Sequence, residues 1–220
     1  FDAKYDNALA STFIIKQRQG NPEKLSGNVR VSFTEAVATL EGPLGKKTDF
    51  LISGRKSYLD LLFKLIDLPI RPNFYDFQYK VTHKFNDKTT LTAIGVGAID
   101  NFSFGTTRNT SAENEYFRRS LPIITQWNYT TGFTLKRLIK KGYINFALSR
   151  NMFNNQLDRF EDAQYNDESK RNFKLRSQEI ENKFRLDVNK YTNGWKISYG
   201  AVGQYVKYNT NLFNKVTSPI

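Results

Sequence analysis

The sequence predicts an all-β chain: part of a transmembrane antiparallel up-and-down β-barrel. Three observations predict it. Apolar and polar residues alternate with period two along most of the chain, and no helix-period segment has comparable length. Several alternating segments approach the about 9–11 residues of a tilted spanning strand rather than the about five or six of a soluble one. The connections alternate between tight turns and long polar links, as in outer-membrane barrels.

Nine strands follow in order. The first runs from Gly27 to Phe33 with Val29, Val31 and Phe33 on one face, and the second, Glu35 to Leu44, groups Ala36, Ala38, Leu40 and Leu44. The third, Thr48 to Tyr58, groups Phe50, Ile52, Gly54 and Tyr58. The fourth and fifth come from residues 74–97, where Tyr75, Phe77, Tyr79, Val81 and Phe85 oppose Asp76, Gln78, Lys80, Thr82 and Lys84. The sixth aligns Ile123, Trp127, Tyr129, Phe133 and Leu135, and the seventh Ile144, Phe146, Leu148 and Met152. The eighth aligns Ile180, Phe184, Leu186 and Val188, and the ninth Trp195, Ile197, Tyr199, Ala201 and Tyr205. Gly45-Lys46-Lys47, Asn86-Asp87-Lys88, Lys140-Lys141-Gly142 and Thr192-Asn193-Gly194 are turn sequences. The links 59–73, 101–121 and 154–177 are read as long loops at the opposite end.

Alternation alone does not say which face is wet. In a soluble sandwich the apolar face meets a second sheet; in a membrane barrel it meets lipid. The aromatics decide for lipid. Tyr75 and Phe85 bracket the fourth strand and Trp195 and Tyr205 the ninth. Ten residues at about 3.3 Å, tilted by roughly 40°, cover about 25 Å, the height of the apolar band between aromatic girdles. Tyr75, Phe77, Tyr79, Phe85, Trp127, Trp195 and Tyr205 are therefore expected to face lipid. Arg55, Glu41, Asp76 and Lys80 are expected on the polar face, as lumen or substrate-contact residues. Arg55 is expected to pair with Glu41 or with a carboxylate of the preceding domain, or else to touch substrate. Since outer-membrane barrels close with even strand numbers and an open edge in lipid leaves backbone groups unpaired, further strands are expected beyond Ile220.

Composition removes several function classes. The 220 residues carry no cysteine and one histidine, so thiolate chemistry, a histidine-based triad and a multi-histidine metal site are excluded. No phosphate-binding glycine loop is present, and no cofactor or enzymatic activity is expected. Glu179, Glu181 and Asp187 read as a solvated ladder with Lys183, Arg185 and Lys196 rather than as acid–base pairs. His83 reads as an interfacial residue near the Asn86 turn. The net charge of +12 favours anionic partners. Nucleic acid is not expected, because stacking needs aromatics and cations on one surface and here they fall on opposite faces. Basic loop residues such as Arg118 and Arg119 are instead expected to meet the anionic outer leaflet.

Specific segments carry a family resemblance. Phe1-Asp2-Ala3-Lys4-Tyr5-Asp6-Asn7-Ala8-Leu9-Ala10-Ser11 is similar to the end of the plug domain of TonB-dependent outer-membrane receptors, with Asp2 in place of the usual proline and Asp6-Asn7 in place of Gly-Gly. Ala38-Thr39-Leu40-Glu41-Gly42-Pro43-Leu44, Phe50 to Asp60 and Phe74-Tyr75-Asp76-Phe77-Gln78 resemble segments of the branch that has a carboxypeptidase-regulatory-like N-terminal domain and includes the SusC-like proteins. The resemblance implies residues 1–22 as the C-terminal end of a plug domain and residues 23–220 as the N-terminal part, about nine strands, of a 22-stranded barrel. It further implies a bacterial outer-membrane location and energised nutrient uptake through TonB, which would engage a segment outside this chain. Outer-membrane lipid and lipopolysaccharide are the implied surroundings, and a SusD-like surface lipoprotein is a partner by analogy. The alternatives are a passive porin-like or structural barrel and a soluble β-sandwich binding module.

Overall fold

The structure, a computed structural model, describes residues 11–108 and 111–216. The plug-like residues 1–10 lie outside the described residues. One antiparallel sheet of nine strands dominates, with strand order equal to chain order and no closure of the sheet on itself. The strands are β1 (Ser26–Val31), β2 (Glu35–Pro43), β3 (Thr48–Ser57), β4 (Ile70–Asn86), β5 (Thr89–Phe104), β6 (Ile123–Ile139), β7 (Gly142–Phe160), β8 (Arg171–Thr192) and β9 (Trp195–Asn214).

The turns take the conformations their residues favour. Asn193 and Gly194 both adopt left-handed backbone, at φ 46° and 81°, the geometry of a two-residue hairpin that matches strand twist. Ser32 closes the β1–β2 turn by accepting hydrogen bonds from the Thr34 and Glu35 amides. Phe33, expected to end the first strand, lies in that turn instead. Tyr58, expected to end the third, sits beyond β3, where its hydroxyl donates to the Glu35 carbonyl at 2.9 Å.

The long links are shorter than expected. β4 begins at Ile70, β5 runs to Phe104, β7 reaches Phe160 and β8 starts at Arg171, so much of 59–73, 101–121 and 154–177 is strand. There the face that carries Tyr75 and Phe77 is mostly polar while Phe102, Phe104, Leu157, Phe173 and Leu175 project from the other face, so the alternation runs opposite in sense to that of the segments nearer the short turns. Two short α-helices, α1 (Leu59–Leu65) and α2 (Ala112–Ser120), and two single-turn 3-10 helices, Glu161–Ala163 and Glu168–Lys170, lie in what remains. Ser111 caps α2 by accepting from the Asn114 amide, with Glu113 and Glu115 in its first turn and Arg118 and Arg119 in its last, each charge opposing the helix dipole. Among the described residues no helix is long and apolar enough to cross a membrane.

The register fixes a tilt. One row of directly paired residues crosses β2 to β9 through Leu40, Ile52, Tyr79, Gly95, Thr131, Arg150, Asn182 and Tyr205. From that row to the last ladder pair at the short-turn end is three residues in β2 (Pro43), seven in β4 (Asn86), eight in β6 (Ile139) and ten in β8 (Thr192). The turns thus recede by about one residue per strand. At about 3.3 Å per residue and 4.8 Å between strands, they lie level when the strands tilt by roughly 35–40°, the tilt of barrel strands.

The two faces differ in kind. Tyr75, Phe77, Tyr79, Phe85, Trp127, Trp195 and Tyr205 share one face by pairing parity. Trp195 is 74% and Tyr205 65% exposed. Tyr79 and Phe77 lie over Gly95 and Gly97, where a Cβ would run into their rings, and the Tyr79 hydroxyl bonds the Thr131 hydroxyl. Trp127 stacks on Tyr129 at 6.2 Å. Among the described residues the only buried hydrophobic side chains are Leu51 and Phe160. Within those residues the apolar face therefore covers no core, and no second sheet packs on it.

Candidate functional site: the polar face beneath the N-terminal segment

Residues 17–21 cross the polar face of β2–β4 without forming a strand, held by side chains from below. Lys80 donates to the Gln17 carbonyl at 2.7 Å, and the Gln17 amide donates to Gln78 at 3.2 Å. Arg18 grips Glu41 with both terminal nitrogens, one at 2.9 Å, and Glu41 also accepts from the Asn21 amide at 3.1 Å. The Gln19 side chain donates to Asp49 at 2.8 Å. Glycine is required at position 20, because a Cβ there would meet the Phe50 carbonyl. Leu51, 3% exposed, and Asp49, 5% exposed, are buried on this otherwise wet face. Asn21 then accepts from the Glu23 amide at 2.9 Å, turning the chain toward β1.

Arg55 stands higher on the same face. Its Nε donates to Asp76 at 2.6 Å and its Nη1 to Glu35 at 3.2 Å, while its guanidinium lies 5.2 Å from the Phe74 ring centre. Glu35 also accepts from Arg30 at 2.7 Å. The expected Arg55–Glu41 pair is not formed: Glu41 pairs opposite Leu51 and Arg55 opposite Val37, four residues apart along the strands. Of the four candidates, Glu41 and Lys80 bind the N-terminal segment, and Arg55 and Asp76 bind each other. Arg30, Ser53, Arg55, Asp76, Gln78 and Asn128 line a cleft of about 490 Å³. Its alternating donors and acceptors suit a hydroxyl-rich or zwitterionic ligand. Sequence reasoning misses Arg18 and Glu35; Glu35 is available from parity, since it shares the face of Glu41.

Farther along the sheet the polar-face charges pair within one strand. Arg185 donates to Asp187 at 2.8 Å, and Lys183 lies 4.0 Å from Glu181. Lys196, expected in this ladder, sits opposite Tyr191 on a different row. On the apolar face His83 hydrogen-bonds Thr48 through Nδ1 at 2.7 Å and meets the edge of Phe85 at 4.6 Å.

At the long-loop end an aromatic cluster ties the β5–β6 and β7–β8 connections together. Phe104 stacks on Tyr165 at 5.8 Å, Phe160 meets it edge-on at 6.2 Å, and the Tyr165 hydroxyl donates to the Arg118 carbonyl at 3.0 Å. Burial pushes the Tyr165 phenol above its ordinary pKa. The Lys215 ammonium, 2.9 Å away, holds Glu161 below the usual carboxylate range. The Ser169 hydroxyl and amide do the same for Asp167.

The expected separation of aromatics from cations is incomplete. Lys56 projects from the apolar face with its ammonium 3.6 Å from the Tyr75 ring centre. Arg150 and Lys207 project from that face too, by their pairing with Thr131 and Ile180. Searches with this chain found no matching protein-family profile, no similar curated protein and no similar solved structure.

Proposed function

We propose that this chain is part of a TonB-dependent outer-membrane transporter, its sheet the first nine strands of a larger barrel and residues 1–22 the end of a plug. The observation that carries the reading is the contrast of faces. One presents exposed aromatics and, among the described residues, covers no core; the other is polar and is crossed by a segment bound through Arg18, Lys80 and Gly20. A membrane barrel with an internal plug has this arrangement, whereas a sandwich would bury the apolar face. In this reading the short turns are periplasmic and the α2 and Tyr165 loops extracellular. Phe85 and Trp195 mark the inner boundary; Tyr75, Trp127 and Tyr205 mark the outer one. The Arg55 cleft lies in the lumen, where a polar substrate would pass.

The test is uptake by cells carrying the full-length gene. Substrate accumulation is expected to require both the gene and the proton-motive force relayed by TonB, and Arg55→Ala is expected to alter accumulation while insertion into the outer membrane is kept. Uptake that persists without TonB would make the barrel passive. A 1–220 polypeptide that folds cooperatively in water without detergent would overturn the membrane reading altogether.

A further inference from the structure

We infer that the apolar face carries a specific site for an anionic lipid headgroup, built from Arg150, Asn182, Tyr205 and Lys207 at the outer edge of the apolar band. The inference rests on the membrane reading above and adds the ligand class and the residues that hold it.

The charges on this face are one-sided. Among the described strand carboxylates only Asp158 projects from it, far along β7, where Arg176 at 2.7 Å and Arg171 at 3.5 Å neutralise it. Every other described strand carboxylate, Glu41, Asp76 and Asp187 among them, projects from the polar face. Lys56, Arg137, Arg150 and Lys207 all project outward with no carboxylate of their own strand beside them. Arg150 lies between Leu148 and Met152, donates from Nη1 to the Asn182 side-chain oxygen at 3.3 Å, and forms no ion pair with a described residue. Four of its five N–H groups thus have no partner among the described residues. A guanidinium facing hydrocarbon is costly unless it reaches an anion or the headgroup layer.

Its height lets it do so. With about 2.6 Å of rise per tilted residue, Arg150 stands about 21 Å above the periplasmic turns and Tyr205 about 26 Å. The long arginine side chain spans that difference by snorkelling. Lys207 is two residues above Tyr205 on the same face, two strands from Arg150, and Asn182 lies between them on β8. Below this polar group runs a groove of about 700 Å³ with Phe133, Leu148 and Phe184 as walls and Ala93 and Gly203 as floor, opening between Tyr79 and Tyr205. Two cations and an amide above a small-floored apolar trough match a phosphorylated headgroup with an acyl chain beneath it. The occupant is the phosphorylated glycolipid of the outer leaflet.

The test uses the full-length protein in neutral detergent, titrated with purified lipopolysaccharide and, in parallel, with the same glycolipid after removal of its phosphates. Binding is read from the rise in unfolding temperature. Arg150→Gln and Lys207→Gln are each expected to weaken binding of the phosphorylated lipid by about fivefold, the effect of one cation near an anionic surface. Arg150→Lys is expected to retain it, as is Arg137→Gln at the periplasmic rim. Equal binding of the dephosphorylated lipid, or no loss in either glutamine variant, overturns the site. Outer-membrane insertion and uptake are scored on the same variants. If wild-type protein transports while the glutamine variants bind lipid normally, the site fails and the transporter reading stands. If the protein never inserts, both fall.

Discussion

The polar face behaves differently at its two ends. Over β2–β4 its charges reach out of the sheet: Glu41, Asp49 and Lys80 hold a second layer of chain, and Leu51 is buried beneath it. Over β8–β9 no described segment covers the face, and the charges turn sideways to neighbours two residues along the strand, Arg185 to Asp187 and Lys183 to Glu181. The same residue types do both. A wet sheet face settles its charges within itself unless a layer is present, and where one is present the longest side chains become its anchors.

The largest expected break in this comparison comes from the opposite face. On the proposed membrane reading, Phe133→Arg puts a cation near the middle of the apolar band and is expected to cost about 2–4 kcal/mol. Thr130→Arg, three residues away but on the polar face, is expected to change stability by less than about 0.5 kcal/mol. Folding into lipid vesicles, followed by the mobility shift of the unheated protein, measures both; equal effects would end the assignment of faces. Next in size is Gly20→Val. Its branched side chain cannot fit against the Phe50 carbonyl, so about 1–3 kcal/mol of overpacking is expected to lift residues 17–21 from the sheet. Protease cleavage after Arg18 would then accelerate, with the sheet itself unaffected.

The smallest effects concern the loops and depend on pH. Glu161 and Asp167 sit below their usual carboxylate range, so their contribution to loop order is present above the ordinary carboxylate pKa and is lost as pH falls through their lowered values. Tyr165 has the opposite sign. Its raised pKa means that stability is full below the ordinary phenol value near 10 and declines as pH rises past it. Hydrogen-exchange protection in 161–170, expressed relative to the intrinsic exchange rate at each pH, should therefore be greatest between these limits and fall at both ends, while protection in the β4–β5 ladder stays flat.

Legibility in the sequence depends on whether a strand has two different surroundings to distinguish. Between the level of Phe74 and the short turns one face is apolar and the other polar, and there the alternation locates β4, β6 and β9 by their aromatics. Past Met152 in β7 and before Ile180 in β8 the outward face turns polar, at Asn154, Gln156, Lys174 and Arg176, while Leu157, Phe173 and Leu175 take the opposite face, so the alternation continues with its sense reversed and does not extend the aromatic face. The Arg55 partner escapes sequence reasoning for another reason. Parity places Arg55 and Glu41 on one face, but only the register of the β2–β3 hairpin reveals that they are four residues apart. Arg150 breaks the alternation of the seventh strand and Lys56 that of the third, and those irregularities are the sequence signals pointing to the outward cations.

Strand order equal to chain order has a kinetic consequence. Every strand pairs with its immediate predecessor, so each contact closes a loop of one hairpin and the contact order of the sheet is low for its size. The sheet can lengthen by one hairpin at a time, and each added hairpin leaves a fresh edge that templates the next. Assembly then resembles the growth of a ribbon from a seed, and an interruption at any tight turn leaves a shorter ribbon in correct register.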